Sequence, residues 1–365
     1  MFVGCAPAPI LLAISAAFLA GSTPAGASPV TAAPPRPALA AAPALPADQA
    51  AARFGAATGI EDYSLVVMRG EEILYIHHAG SHGATTRLPI ASASKWMVGA
   101  TIMTLVDEGL LDLEAPISRY VPDLPEDYGS LRLSQLLSYT AGLPSLAKFV
   151  EFRQPETISL TRSAQLAARE PLASTPGTQF DYGGANLQFL GAAAEQVTGK
   201  RWQTIFDERI GRPLGMASTL WGGIRAEPQA ARLPSNPMLQ GGAWTTLADH
   251  AAFVTMVAQD GRYKGKQVLT PAAIKAMARI MTLGLKKGFT APGAQGRDVE
   301  YMIAHWCERR DGTQCSFESS PGLYGTYPWV DRASGLHGVI FLKDRLRRVA
   351  TEERALRDRL IEIYG

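Results

Sequence analysis

Apolar residues run without a strongly polar face from Ile90 through Trp96, Met97, Val98, Ile102, Met103, Leu105 and Val106, and stop at Asp107-Glu108-Gly109. A helix that is apolar all round belongs inside a core. The pattern predicts a buried helix of about four turns, closed by a glycine suited to the left-handed cap. Upstream, Tyr63-Ser64-Leu65-Val66-Val67-Met68 and Glu72-Ile73-Leu74-Tyr75-Ile76-His77 are rich in strand formers and are separated by Arg69-Gly70-Glu71. They predict an antiparallel hairpin. A short helical piece over residues 131–137 ends at Thr140-Ala141-Gly142-Leu143-Pro144, and helical periodicity with proline breaks continues to about Gln240. Strand-like runs return over residues 322–330 and 338–342, and a last amphipathic helix is expected over residues 350–363. Strands at both ends with helices between imply one α/β lobe assembled from both termini. A helical lobe is inserted over roughly 110–235, and the cleft between such lobes is a natural ligand site. No internal repeat is present.

Composition narrows this picture. With 365 residues, 47% of them hydrophobic and 19% charged, the chain is globular and large enough for a sizeable core. A formal charge of +2 without a basic block argues against a nucleic-acid partner. No apolar run reaches the roughly 20 residues of a membrane span. The beginning of the chain is different in kind. Ile10-Leu11-Leu12-Ala13-Ile14-Ser15-Ala16-Ala17-Phe18-Leu19-Ala20 has the length of a signal-peptide core, and Ala25-Gly26-Ala27 is a small-x-small cleavage pattern. No Lys or Arg precedes the run. Residues 1–27 are therefore expected to be a secretory signal, residues 28–48 an extended Ala/Pro-rich tether, and residues 49–365 the folded domain, in a periplasmic or secreted protein. The cysteines fit that compartment. Cys5 would leave with the signal, whereas Cys307 and Cys315 flank the tight-turn pair Asp311-Gly312. A hairpin closed by a Cys307–Cys315 disulfide is expected.

The candidate chemistry sits at the mouth of the apolar helix. Residues three apart share a helical face, so Ser92 and Lys95 are neighbours by local geometry alone. A serine hydroxyl needs a base to become a good nucleophile, and a lysine serves when desolvation lowers its pKa. The first helical turn adds unpaired N–H groups for a developing oxyanion. Taken alone, so short a pattern is more often a capping serine followed by a solvated lysine. His77, His78 and His82 lie close in sequence, but adjacent strand residues point to opposite faces, so they are read as surface or packing residues and no metal site is expected. His337 and His305 are not needed by Ser-x-x-Lys chemistry. No phosphate loop or dinucleotide fingerprint occurs.

Beyond residue 46 the chain resembles the serine β-lactamase and penicillin-binding protein superfamily, in particular its class C and family VIII esterase branch. The runs that carry the resemblance are Ser92-Ala93-Ser94-Lys95, Leu136-Leu137-Ser138-Tyr139-Thr140-Ala141-Gly142-Leu143-Pro144, Gln196-Val197-Thr198-Gly199-Lys200, Arg209-Ile210-Gly211-Arg212-Pro213-Leu214-Gly215-Met216, and Gly241-Gly242 before Thr245-Thr246-Leu247-Ala248-Asp249. The resemblance implies an α/β, β-lactamase/transpeptidase-like fold, with an antiparallel sheet flanked by helices and an inserted helical lobe. It also implies that Ser92 is the nucleophile, Lys95 its base and Tyr182 a proton shuttle whose phenolate is eased by the Lys95 charge. The family's Tyr-x-Asn becomes Tyr182-Gly183-Gly184, so the amide that clamps a lactam is missing, and Asn186 lies two residues further on. The third motif, which would open the site-lining strand with a cation, aligns with Ser320-Pro321-Gly322. There Gly322 would let the acyl group approach, the Leu323 N–H would join that of Ser92 in the oxyanion hole, and Gly184, Ser320 and Gly322 would face the substrate.

The resemblance therefore points to a serine hydrolase acting on a small-molecule ester or amide, with no metal or organic cofactor implied. A carboxylesterase working through a Ser92 acyl-enzyme is the leading expectation. The alternatives are a β-lactamase, amidase or D-amino-acid peptidase on cell-wall-like substrates, and a non-catalytic ligand-binding homologue.

Overall fold

The computed structural model describes residues 45–144 and 156–365. The expected signal and most of the expected tether, residues 1–44, lie outside them. The tether's end is corrected: Pro46–Thr58 is a helix with proline in its first turn and Ala47, Ala50, Ala51 and Phe54 buried. Proline is preorganised at a helix start and alanine is the best helix former, so a composition that reads as an extended spacer folds as soon as it has a surface to cover.

Strands β1 (Tyr63–Arg69), β2 (Glu72–Ala79), β3 (Arg87–Pro89), β4 (Gln179–Phe180), β5 (Leu220–Trp221), β6 (Ala243–Thr246), β7 (Arg262–Tyr263) and β8 (Lys266–Gln267) precede β9 (Lys286–Lys287) and β10 (Glu300–Tyr301). Then come β11 (Trp306–Asp311), β12 (Gln314–Ser319), β13 (Tyr327–Asp331) and β14 (Leu336–Leu342). The main sheet has the order β10-β11-β12-β13-β14-β1-β2, so its centre is closed by pairing the two ends of the chain. Tyr63 stands opposite Leu342 and Met68 opposite His337.

Period-2 alternation divides the core. Leu65 and Val67, with Ile340, Leu342 and Trp329, pack against Phe54 of the first helix and Val349, Leu356 and Leu360 of the last. Val66 and Met68, with Val339 and Phe341, face the other way, towards Ala251, Ala252 and the central helices. The last helix is Leu346–Tyr364, one turn longer at its start than the periodicity indicated.

The helix Ser94–Asp107 is buried at every position from Ser94 to Leu105, as an all-apolar run requires, and Gly109 takes φ +73° just past its end. Between residues 110 and 214 the described structure is helical apart from β4, narrower than the expected 110–235. Beyond it, β5 and β6 join β3 in a small sheet, and the helix Leu247–Ala258 lies on the main sheet. A second correction concerns residues 322–330. Only Tyr327–Asp331 is strand; residues 320–326 form a loop in which the Gly325 N–H donates to Gly322 O and the Gly322 N–H to Thr326 O. Pro321 offers no ladder donor and Gly325 sits at φ +87°, so the chain turns here instead of extending. Among the described residues no helix is long and apolar enough to cross a membrane.

Candidate active site

Ser92 occupies a short 3₁₀ turn, Ala91–Ala93, that runs directly into the Ser94–Asp107 helix. Ala91 enters this turn at φ +46°, a conformation rarely taken by a residue with a Cβ. Pairing across the small sheet holds it there. The Ile90 N–H donates to Ala243 O at 3.0 Å, the Ala243 N–H donates to Ser94 Oγ at 3.1 Å, and Ser94 Oγ in turn donates to Ala91 O at 2.6 Å. The neighbouring serine of the motif is thus a structural clip, and Ser92 is left free to present its hydroxyl.

Lys95 is 1% exposed. Its Nζ donates to Ser92 Oγ at 2.8 Å and to the backbone oxygen of Gln240 at 2.6 Å. No carboxylate pairs with it in these contacts, and burial lowers its pKa to about 7. An amine near neutrality with its lone pair available to a serine hydroxyl is a general base for that hydroxyl. The alternative of a capping serine and a solvated lysine does not fit this burial.

Tyr182 is brought to the same point by long-range pairing. Its N–H donates to Phe289 O at 2.8 Å, the Asp181 N–H donates to Tyr139 O at 3.0 Å, and the Asp181 carboxylate accepts the Phe289 N–H at 2.9 Å. The Tyr182 ring lies 4.8 Å from Lys95 Nζ, and its centroid is 5.2 Å from that of the Trp306 ring. The expectation that Lys95 eases the phenolate is corrected. Burial dominates and raises the Tyr182 pKa well above its ordinary value, with the Ser92 and Trp306 contacts only partly offsetting it. The ring is enclosed by Tyr139, Phe180, Tyr301 and Trp306, which cannot solvate a negative charge as water does. Tyr182 is a neutral phenol, able to give or relay a proton.

The third-motif residues meet the nucleophile from the C-terminal end of β12. A Cβ added to Gly322 would stand 2.1 Å from Ile90 O and 3.4 Å from Ala93 N, so only glycine permits this approach. It sets the backbone of residues 322–323 against the turn that carries Ser92. Leu323 is 48% exposed. Ser320 is buried, and its hydroxyl donates to Ser92 O at 3.4 Å, a long backbone tie. Gly184 has φ +71°, and a Cβ there would fall 2.6 Å from Pro144 O. The Asn186 side chain is turned to Gly183 O at 2.7 Å, anchoring its own loop.

Cys307 and Cys315 form a disulfide across the β11–β12 hairpin, with Cα atoms 5.7 Å apart. Two of the histidines find partners elsewhere: His78 Nδ1 bonds Ser64 Oγ at 2.8 Å, and His337 Nε2 bonds Thr255 Oγ1 at 2.9 Å. Among the described residues no group of three or more His, Cys, Asp or Glu is placed to hold a metal.

Two groups at the site have no signature in the sequence. Gln240 acts through its carbonyl, which any residue possesses. Trp306 packs its ring against Tyr182 from the start of β11, a position where an aromatic residue is usually core.

The family described as Beta-lactamase matches residues 47–362. Protein Rv1367c of Mycobacterium tuberculosis is 26% identical over 329 residues, an alignment covering 72% of this chain and 79% of that protein. Among solved structures, EstCE1, a hydrolase with promiscuous acyltransferase activity, is similar with a TM-score of 0.69 at 18% identity, covering 88% of this chain and 98% of the other. A penicillin binding protein from Bacillus halodurans is similar with a TM-score of 0.66 at 19% identity, covering 84% and 98%. Both likenesses bear out the β-lactamase/transpeptidase-like fold. With a match that spans the folded chain almost from end to end, this chain belongs to the beta-lactamase family.

Proposed function

We propose that the chain is a secreted carboxylesterase that works through an acyl-enzyme on Ser92. The observation that carries this reading is the buried Lys95 amine, 2.8 Å from Ser92 Oγ and with a pKa near 7. Lys95 takes the hydroxyl proton as Ser92 attacks the ester carbonyl, and its remaining N–H bond to Gln240 O keeps the amine aimed. The N–H groups of Ser92 and Leu323 receive the tetrahedral oxyanion. Tyr182 protonates the departing alkoxide, and the proton held by Lys95 restores the phenol. Water then enters by the same steps in reverse order, with Lys95 as base and Ser92 as leaving group.

An ester is favoured over a charged lactam by what the site lacks. Ser320 stands where the family carries a cation and is turned to Ser92 O. Gly184 brings no amide, and Pro144 O closes the space where a side chain would stand. The Cys307–Cys315 disulfide supports an oxidising compartment, in line with the expected signal over residues 1–27.

The test compares hydrolysis of short-chain 4-nitrophenyl esters and of nitrocefin by the wild type and Ser92→Ala. Ester turnover that the substitution abolishes, with little nitrocefin cleavage, is expected. Dominant Ser92-dependent nitrocefin cleavage would replace this reading with a β-lactamase. Absence of Ser92-dependent turnover of either would sink it.

A further inference from the structure

The loop of residues 320–326, which sets the backbone of Gly322 against the turn that carries Ser92, lies between the end of β12 at Ser319 and the start of β13 at Tyr327. Its internal bonds, from the Gly325 N–H to Gly322 O and from the Gly322 N–H to Thr326 O, shape the turn but do not fix where it stands. The residues at its two ends are tied to a single atom. Ser319 Oγ donates to Glu308 Oε1 at 2.5 Å, and the Tyr327 hydroxyl donates to the same oxygen at 2.8 Å. Glu308 belongs to β11, and its side chain is 3% exposed.

The other carboxylate oxygen is used as fully. Arg297 donates to Glu308 Oε2 at 2.7 Å, and Arg357 donates to it at 3.1 Å. An ionised carboxylate only accepts, at about four lone-pair sites, and two donors on each oxygen fill them. Burial works against the charge, but Arg297 and Arg357, with the Ser319 hydroxyl, hold the carboxyl down at about 2. Arg357 also donates to the Tyr327 hydroxyl, and its guanidinium lies 4.4 Å from the centre of the Phe317 ring. It stands on the last helix, Leu346–Tyr364, whose start bonds the loop from the other side. There the Leu346 N–H donates to Leu323 O at 2.8 Å, and the Asp344 N–H donates to Tyr324 O at 2.9 Å. One carboxylate thus keeps β12, β13 and the last helix in register, and the loop is held by all three. None of these contacts reaches Ser92, Lys95 or Tyr182, so an effect of Glu308 on the chemistry must pass through the loop.

We propose that Glu308 is a positioning residue for the oxyanion hole, holding both ends of the 320–326 loop so that the Leu323 N–H stays on the tetrahedral oxygen. The proposal rests on the ester-hydrolase reading and names a residue outside the three sequence motifs. A buried ion cluster adds little stability over an apolar one of the same shape. What it supplies is direction, because hydrogen bonds are lost over distances that an apolar contact tolerates.

Ser319→Ala and Tyr327→Phe each remove one hydroxyl and leave the carboxylate with both arginines. Together they release the ends of the loop without unpairing the buried charges. Displacing a catalytic group by about 1 Å costs about 10²-fold. The double variant is expected to lose about tenfold to hundredfold in kcat on 4-nitrophenyl butyrate, with KM within about threefold of the wild type. Its affinity for phenylboronic acid, which forms a tetrahedral adduct on a serine, should fall by a similar factor. In a Gly322→Ala background, where the hole is already displaced, the same pair should add less than about threefold. Circular dichroism checks folding; should the double variant not fold, Tyr327→Phe alone carries the test, with an expected kcat loss of about threefold to tenfold. A folded variant that keeps its kcat within about twofold, even with a lowered melting temperature, would overturn the assignment and leave the esterase reading standing. Equal losses in the wild-type and Gly322→Ala backgrounds would do the same. A wild type without Ser92-dependent hydrolysis of 4-nitrophenyl butyrate would overturn both.

Discussion

Gly322→Ala is the sharpest perturbation this structure offers. The added methyl would sit 2.1 Å from the backbone oxygen of Ile90, short of the 3.4 Å at which ordinary contact begins. The loop at residues 322–323 and the turn at Ile90 must therefore part by about 1.3 Å. Neither partner is a flexible side-chain tip. Ile90 is pinned to Ala243, and Gly322 donates to Thr326 O at 2.8 Å. The movement thus falls on the gap between the Leu323 N–H and Ser92. A hydrogen bond lengthened by more than 1 Å is lost. Removing one oxyanion-hole donor costs about 10²–10³ in kcat, or roughly 2.7–4 kcal/mol. KM should change little, since the donor acts mainly on the transition state. The assay is steady-state kcat and KM on 4-nitrophenyl butyrate, with circular dichroism and thermal unfolding to show that the variant is folded. A folded Gly322→Ala enzyme that keeps its kcat within about threefold would refute this account of the oxyanion hole.

Two further outcomes follow from the same geometry. Since Lys95 must be neutral to accept the Ser92 proton and burial sets its pKa near 7, kcat/KM should rise with pH through about 7 and then level off; a profile flat from pH 5 to 9 would contradict the lysine as base. Reducing the Cys307–Cys315 bond, which spans a sequence separation of 8, removes about 2.5 kcal/mol of unfolded-state restraint. The expected result in a reduced or Cys307→Ser, Cys315→Ser sample is a melting temperature lower by several degrees with kcat little changed, and an unaltered melting temperature would show that the hairpin needs no staple.

Much of the framework was readable because it is local. The period-2 runs at Tyr63 and Glu72, the all-apolar helix after Ile90 and the Asp311-Gly312 turn each encode their element within a few residues. The misreadings came where local signals compete. Residues 322–330 contain enough aromatic and β-branched side chains for a strand, yet Pro321 and Gly325 turn the first half into a loop. Pro46 and the alanines after it look like a spacer, until burial of Phe54 gives them a reason to be helical.

The sequence by itself placed Ser92 and Lys95 on one helical face, because a three-residue spacing fixes that neighbourhood whatever the rest of the chain does. It also set the order of the motifs along the chain and the absence of a third-motif lysine. Only the tertiary structure decided what those residues can do. The lysine's pKa depends on removing water from around its amine, and that is achieved by packing from residues up to 145 positions away, among them the carbonyl of Gln240. The tyrosine shows the same physics with the opposite result. The resemblance leads one to expect a phenolate eased by the Lys95 charge, but burial among four aromatic rings raises the phenol's pKa instead. Trp306 gains its position from strand pairing with Ser319 and Tyr301, and a backbone oxygen such as that of Gln240 has no residue type to betray it. Such contacts are set by the path of the folded chain, so no spacing in the sequence could have announced them.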